Sequence, residues 1–410
     1  MNFIKNYFHL EKLGTNVRTE FIAGLTTFIS MSYILFVNPS VLGASGMNTG
    51  AVFTATALAA ALGTAIMGIV ANYPIGEAPA LGINAFFAYT VCIGMKVSWE
   101  TALASVFVAS IIFILITLFK LREKIIDSIP SDLKFAISSG IGLFIAFLGL
   151  QNGGLIVTVI LMILGVPGAI FIGMIAASIF GICTGQIAVP HKFISLAPSL
   201  APTFGQAVFH VKDINSLQMW VVVLTFLLVT FFDTAGTLIG LAQQAGFMKN
   251  NKMPRVGKAL AADSTAMMFG SIFGTSPVGA FVESSAGIAV GGRSGLTAVF
   301  VAIFFLISMI FSPLLGVFTT QVTAPALIIV GVLMAQNTAH IHWNKLEIAV
   351  PAFLILLGMP LTYSISDGLA LGMITYPICM VSAKRGKEVS PMMWVLFVVF
   401  IIFLWVLNFK

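Results

Sequence analysis

The chain has 410 residues, of which 59% are hydrophobic and 8% charged. That leaves too few polar groups to cover a soluble domain and excludes an ordinary cytosolic enzyme or binding module. The formal net charge of +6 falls in short loops and termini, so it reads as a membrane-topology signal and not as a nucleic-acid footprint.

The first twenty residues are polar and amphipathic, with Lys5, Lys12 and Arg18, and no small-residue cleavage site follows, so no cleavable signal peptide is expected. A membrane span needs about twenty apolar residues. Candidates run at 21–40, 50–71, 78–95, 101–119 and 133–150, followed by one long run at 154–184. Further candidates are 218–245, 257–273, 279–291, 295–316, 320–336, 346–363, 365–382 and 391–408. The stretch 279–291 is too short to cross alone and fits half a helix preceded by extended chain.

Basic residues test the count. Lys120, Arg122 and Lys124 follow the fourth span; Lys249, Lys252, Arg255 and Lys258 follow the run ending near 245; Lys384, Arg385 and Lys387 follow 365–382. Positive loops face the cytoplasm. With the N-terminus inside, the 249–258 loop is inside only if eight crossings precede it, and one helix at 154–184 gives seven. Gly165-Val166-Pro167-Gly168 lies in the middle of that run and predicts a turn between two short segments.

Two stretches echo each other. Gly76-Glu77-Ala78-Pro79 is followed by Asn84, and Gly274-Thr275-Ser276-Pro277 by Glu283. Each is extended chain leading into a helix with a polar residue at the junction. They lie seven spans apart and so in opposite orientation, the pattern of an inverted repeat.

Two carboxylates, Asp233 and Glu283, interrupt apolar stretches beside glycines and hydroxyl residues. A carboxylate at bilayer depth is costly and marks a substrate or ion path, and broken segments at that depth must line a cavity or be buried in protein. The reading is a secondary transporter. Two carboxylates with amide and hydroxyl groups suit a neutral heterocycle rich in N–H donors and would repel a small anion. Phe86, Phe87 and Phe281 flank these groups and either stack on a planar ring or pack against lipid and the protein core. Glu77 is expected near the end of the second span, solvated or snorkelling. The five histidines (His9, His191, His210, His340, His342) fall at or beyond span ends, so proton coupling falls to Glu283 and Asp233. Cys92, Cys183 and Cys379 have no ligand spacing and read as buried small hydrophobes. No metal, cofactor or enzymatic constellation is expected.

Longer motifs carry a family resemblance. Gly14-Thr15, Arg18-Thr19-Glu20, Ala23-Gly24-Leu25-Thr26-Thr27-Phe28 and Tyr33-Ile34-Leu35-Phe36-Val37-Asn38-Pro39 open the chain. Gly82-Ile83-Asn84-Ala85-Phe86-Phe87-Ala88-Tyr89-Thr90, Phe232-Asp233-Thr234-Ala235-Gly236-Thr237 and Gly274-Thr275-Ser276 through Val282-Glu283-Ser284-Ser285-Ala286-Gly287 follow. Gly291-Gly292-Arg293-Ser294-Gly295-Leu296-Thr297 and Pro360-Leu361-Thr362-Tyr363-Ser364-Ile365 complete the set. Together they resemble the AzgA-like guanine/hypoxanthine permeases, the purine branch of the nucleobase:cation symporter-2 family.

The resemblance implies an all-α polytopic fold of about fourteen segments in two inverted seven-span repeats, residues 1–200 and 201–410. The core domain would comprise about 21–120 and 218–316, and the gate domain about 131–184 and 320–408. It implies proton-coupled import of hypoxanthine, guanine or adenine across the cytoplasmic (inner) membrane of a bacterium, with the N-terminus in the cytoplasm. Asn84, Asp233 and Glu283 fall on the substrate-binding positions, with Thr26, Thr27, Thr275 and Ser276 at further motif positions. The partners expected are a purine base, protons, membrane lipid and, as an option, a second copy in a homodimer; nucleic acid is not expected. Two departures stand out. Thr230 occupies a position that is often acidic in the family. The stretch between Gln151-Asn152-Gly153-Gly154 and Gly168-Ala169-Ile170 is shorter than in relatives by roughly one helix. Two alternatives follow: a purine-binding variant with impaired transport, and an anion transporter on the same architecture.

Overall fold

The computed structural model describes residues 2–119, 129–150, 156–166, 168–190, 192–247, 253–362 and 365–408. Lys120, Arg122, Lys124, residues 151–154, Pro167, His191, Lys249, Lys252, Tyr363 and Ser364, all used above, lie outside the described residues.

A short helix α1 (Asn2–Tyr7) precedes α2 (Val17–Met31), α3 (Ile34–Gly43) and α4 (Thr49–Ile66), which widens into a π-helical turn at Met67–Ala71. Side-chain caps set where helices start: Asn16 accepts the Thr19 N–H at 3.0 Å and Asn48 the Ala51 N–H at 2.9 Å, satisfying groups that a helix start leaves unpaired. Strand β1 (Glu77–Pro79) leads into α5 (Leu81–Ala85), which continues as a π-helix to Gly94, and then α6 (Trp99–Leu118). Next come α7 (Ser131–Leu150), α8 (Ile156–Ile163) and α9 (Ala169–Cys183). A one-turn helix α10 (Gln206–Phe209) precedes α11 (Leu217–Gln244) and α12 (Val256–Phe273). Strand β2 (Val278–Ala280) leads into α13 (Ser284–Ala289), followed by α14 (Gly295–Ser308), α15 (Thr320–Ala335), α16 (Leu346–Thr362), α17 (Ile365–Ser382) and α18 (Pro391–Asn408).

Among the described residues, five helical stretches are long and apolar enough to cross a membrane: Val17–Gly43, Thr49–Ala71, Trp99–Leu118, Gly295–Gly316 and Gln321–His340. The run at 154–184 is not one helix: α8 and α9 pack on each other, with Gly165 and Gly168 at positive φ (69° and 73°) between them. That conformation is open to Gly without a Cβ penalty, so the predicted turn is present.

The two extended stretches meet. β1 and β2 pair antiparallel with Glu77 opposite Ala280 and Pro79 opposite Val278. Pro79 ends its strand, whereas Pro277 precedes its own. Ladder bonds fix the pairing, and Pro, lacking an N–H, is free to stand at either boundary. Around this joint α4 packs on α12, α14 and β1, α2 on α13 and α14, and α6 on α11 and α12. A second group forms beside it: α7 packs on α15 and α16, and α17 on α16 and α18.

Small residues allow these crossings. A Cβ on Gly295 would lie 1.9 Å from the Gly68 carbonyl oxygen, and one on Gly331 would lie 2.4 Å from that of Gly142. Backbones so close admit no side chain.

Two expectations are corrected, and one residue gains a place the sequence did not suggest. Glu77 is neither solvated nor snorkelling. It is fully buried in β1, with its N–H bonded to Thr64 Oγ1 at 2.8 Å and its carboxylate against Gly63. The chain leaves α4 and turns straight back into the protein along β2. Cys183 is exposed, because α9 ends there at the protein surface. His340 stands at a helix end as expected, yet it lines the central cavity described next.

Candidate functional site

A cavity of about 810 Å³ lies between the two helix groups. One wall comes from the β1–β2 joint and its half-helices: Ala80, Leu81, Gly82, Phe281, Glu283 and Ser285, with Tyr33 from the break between α2 and α3 and Asp233 and Thr237 from α11. The opposite wall comes from α7 and from α15 with its following turn, including Lys134, Phe135, Ser138, Asn337 and His340.

Glu283 takes the first position before α13, where its own side chain caps nothing. It is held from elsewhere: the Tyr33 hydroxyl donates to Glu283 Oε1 at 2.5 Å. Tyr33 is fully buried, and a buried phenol needs such a partner. The rings of Tyr33 and Phe281 lie 6.5 Å apart at 43°. Asp233 lies within electrostatic reach of Glu283 and of Asp263. Asp263 is fully buried behind it and accepts the Thr234 hydroxyl at 2.9 Å. At the start of α5 the first helical bond runs from Asn84 N–H to Ala80 O at 2.9 Å, so the N–H groups of Leu81 and Gly82 have no partner within the helix.

The residues singled out from the sequence divide into two groups. Asp233, Glu283 and Phe281 line the cavity together. Asn84, Thr275 and Ser276 sit behind it, all fully buried, in a network centred on Asn38. Asn38 Nδ2 donates to Thr56 Oγ1 and to Thr275 Oγ1, both at 2.7 Å. Asn84 Nδ2 donates to Asn38 Oδ1 at 2.7 Å, and the Ser276 hydroxyl donates to Asn84 Oδ1. Asn84 lies one turn inside α5 and not at its start. Phe86 and Phe87 are fully buried and pack on Phe226, Phe86 edge-on with centroids 5.2 Å apart. Thr26 returns its hydroxyl to Ile22 O at 2.9 Å. Thr27 packs its hydroxyl against Gly287, where a Cβ would approach to 2.0 Å.

Tyr33 and the whole opposite wall escaped the reading of the sequence as site residues. A signal for Tyr33 existed, since a tyrosine inside an apolar span must find a partner. The opposite wall carries no such signal. Ser131, Lys134 and His340 sit at helix ends, where polar residues are ordinary, and Ser138 is a small hydroxyl residue two turns into α7. His340 tilts against Phe135 with centroids 5.1 Å apart, and Asn337 Nδ2 donates to Ser138 Oγ at 3.0 Å.

Residues 18–158 and 152–371 match the family model Xan_ur_permease, described as "Permease family". The chain belongs to this permease family. It is 51% identical to the guanine/hypoxanthine permease PbuG of Bacillus subtilis (strain 168), over 98% of this chain and 99% of that one. It is 39% identical to the adenine permease AdeQ of Escherichia coli (strain K12), over 94% and 93%. Among solved structures, the transmembrane domain of a cyanobacterium bicarbonate transporter, BicA, superposes with a TM-score of 0.62 at 16% identity, covering 90% of this chain and 97% of that one. That likeness gives the fold: a helical membrane-transporter architecture. The PbuG alignment runs over 435 positions, 25 more than the 410 residues here, so that relative carries residues this permease lacks. The two matched stretches of the family model meet at 152–158, within the region where the sequence motifs are spaced too closely.

Proposed function

We propose that this permease is a proton-coupled secondary transporter that imports purine nucleobases, hypoxanthine, guanine or adenine, across the cytoplasmic membrane. The observation that carries the reading is that Asp233 and Glu283 line one cavity beside the aromatic rings of Tyr33 and Phe281. Ionised carboxylates are acceptors only, and a purine base presents ring and exocyclic N–H donors along its edge. The rings supply apolar area for its faces. Support also comes from relatives named for guanine/hypoxanthine and adenine permeation. BicA is named for bicarbonate, but two carboxylates would repel an anion, so the geometry disfavours the anion alternative. The near-complete alignment with permeases leaves the binding-only alternative without support.

In this reading Glu283 and Asp233 bind the base, Phe281 stacks on it, and either carboxylate carries the coupled proton. Asn84, Thr275 and Ser276 hold the half-helix starts in place through Asn38, while Phe86, Thr26 and Thr27 pack the surrounding helices. Residues 1–200 and 201–410 form inverted repeats of seven spans. The helices around the β1–β2 joint form the core domain, and α7–α9 with α15–α18 form the gate, which is shorter in its first half. The N-terminus and the loop holding Lys384, Arg385 and Lys387 face the cytoplasm. Alternating access then follows from rocking of the gate over the fixed site.

The test is uptake of labelled hypoxanthine in cells lacking their own purine permeases, with guanine, adenine, xanthine and uracil as competitors. Competition by purines and not by uracil is expected. Absence of uptake at normal expression refutes the reading.

A further inference from the structure

Glu283 is the one cavity carboxylate placed at the start of a half-helix, and it does not use that helix to hold itself. Its backbone is helical (φ −60°, ψ −16°) and its side chain makes no capping bond. The group that orients it comes from 250 residues away in sequence: the Tyr33 hydroxyl, 2.5 Å from Oε1. We propose that Tyr33 is a positioning and specificity-determining residue, fixing the Glu283 carboxylate so that Oε2 is the oxygen presented to the base. The inference rests on the purine-permease reading above.

Three observations carry it. First, Tyr33 is fully buried yet lines the cavity, so its hydroxyl is tied to Glu283 and withdrawn from bulk water. Second, Tyr33 stands on a rigid support. It occupies the break between α2 and α3, and five residues further on Asn38 anchors α3 to Thr56 and Thr275 through two bonds of 2.7 Å. Third, the Tyr33 ring shares its wall with Phe281, which directly follows β2, so the phenol is held from both sides. The other charged groups that line the cavity are Asp233 on α11, Lys134 on α7 and His340 after α15.

The chemistry follows from how the acceptor positions are shared. A free carboxylate can take two parallel N–H donors, one on each oxygen. Each oxygen has two acceptor positions; the phenol takes one on Oε1 at 2.5 Å and withdraws charge from it, so Oε2 is the stronger acceptor left for a ring N–H. Hypoxanthine has one such donor on its six-membered ring. Guanine has the same donor with an exocyclic amino group beside it, and the second donor gains less from an oxygen that already accepts the phenol. Removing the hydroxyl therefore has unequal effects. Hypoxanthine loses a well-oriented acceptor, whereas guanine loses orientation but gains a stronger acceptor at Oε1.

The experiment is Tyr33→Phe in the full-length protein, with inhibition constants for hypoxanthine and guanine measured against labelled uptake over a range of pH. The hypoxanthine constant should rise roughly tenfold, the scale of one bond to a charged group. The guanine constant should rise less, and the pH profile of uptake should move. Unchanged constants overturn the inference. So does an equal rise for both bases with an unmoved pH profile, which is the mark of a merely structural residue. If Tyr33→Phe does not insert, 3-fluorotyrosine placed at position 33 keeps the shape and alters only the phenol; it must shift the same pH profile, and an unshifted profile counts against the role. A wild-type protein that takes up no purine overturns the underlying reading as well, so the two failures are distinguishable.

Discussion

The carboxylate of Glu20, on the first turn of α2, accepts the Thr297 hydroxyl at 2.6 Å and the Thr297 N–H at 3.1 Å. It also takes the Ser294 hydroxyl at 2.7 Å and the Arg293 N–H at 3.0 Å. A negative charge thus sits where α14 begins, meeting both its unpaired N–H groups and its dipole. Glu20→Ala should strip these donors of their acceptor and destabilise the core by about 1.5–3 kcal/mol. A lowered melting temperature in detergent checks this, and an unchanged one would show the cap to be dispensable.

Glu283→Gln should abolish purine uptake while leaving membrane insertion intact. The amide keeps the size but loses the charge, and a charge-assisted bond is worth about 1.5–3 kcal/mol, so affinity falls on the order of tenfold to hundredfold. Uptake assays paired with quantified membrane levels decide it; wild-type uptake removes Glu283 from the site.

Uptake should depend on the proton gradient and not on sodium. The cavity offers titratable carboxylates, and no group of three His, Cys, Asp or Glu residues that could hold a metal ion is found among the described residues. Uptake that survives an uncoupler and stops when sodium is replaced would reverse the assignment.

Gly287→Ala should impair transport more than its one methyl group suggests. The new Cβ would meet Thr27 Oγ1 at 2.0 Å and the Ala23 carbonyl oxygen at 2.6 Å, forcing α13 away from α2 and displacing Glu283 at its start. Overpacking of this kind costs about 1–3 kcal/mol. Adding Thr27→Ala relieves only the first contact, so partial recovery of hypoxanthine uptake is the expected result.

Arg385 joins Glu347 at 2.6 Å and Glu388 at 2.6 Å in the loop between α17 and α18. The guanidinium holds the Glu388 carboxyl below its ordinary value of 4.5. A depressed carboxylate contributes stability above its unfolded value and loses it as pH falls through the folded one. The melting difference between wild type and Arg385→Ala should therefore be constant from pH 8 to about 5 and shrink in more acid solution. It should be small throughout, because the pair is solvent-exposed.

Much of this was legible in the sequence because bilayer physics leaves few choices. Apolar length gave the helical membrane-transporter class, Gly165 and Gly168 gave the break between α8 and α9, and the cost of buried charge singled out Asp233 and Glu283, which line one cavity. What stayed hidden depends on contacts between distant residues. Tyr33 and Asn38 are polar groups in an apolar stretch, but which partners they take is hidden until Glu283 and Thr275 arrive from the other half of the chain. Glu77 misled because a glutamate near a span end usually reaches water, and only the β1–β2 ladder draws it inward. Asn84 was placed at a helix start by its distance from Pro79, but the helix begins at Leu81 and carries Asn84 one turn deeper.

The three-residue ladder of Glu77–Pro79 on Val278–Ala280 has a mechanical consequence. The strands come from the two halves of the chain, and each leads directly into a half-helix whose start faces the cavity. Stitched by backbone bonds, they cannot part without breaking the ladder in a place water does not reach. The halves of the molecule are thus riveted beside the cavity. Any motion that opens one side and shuts the other must carry that rivet along whole, like an axle about which the flanking helices swing.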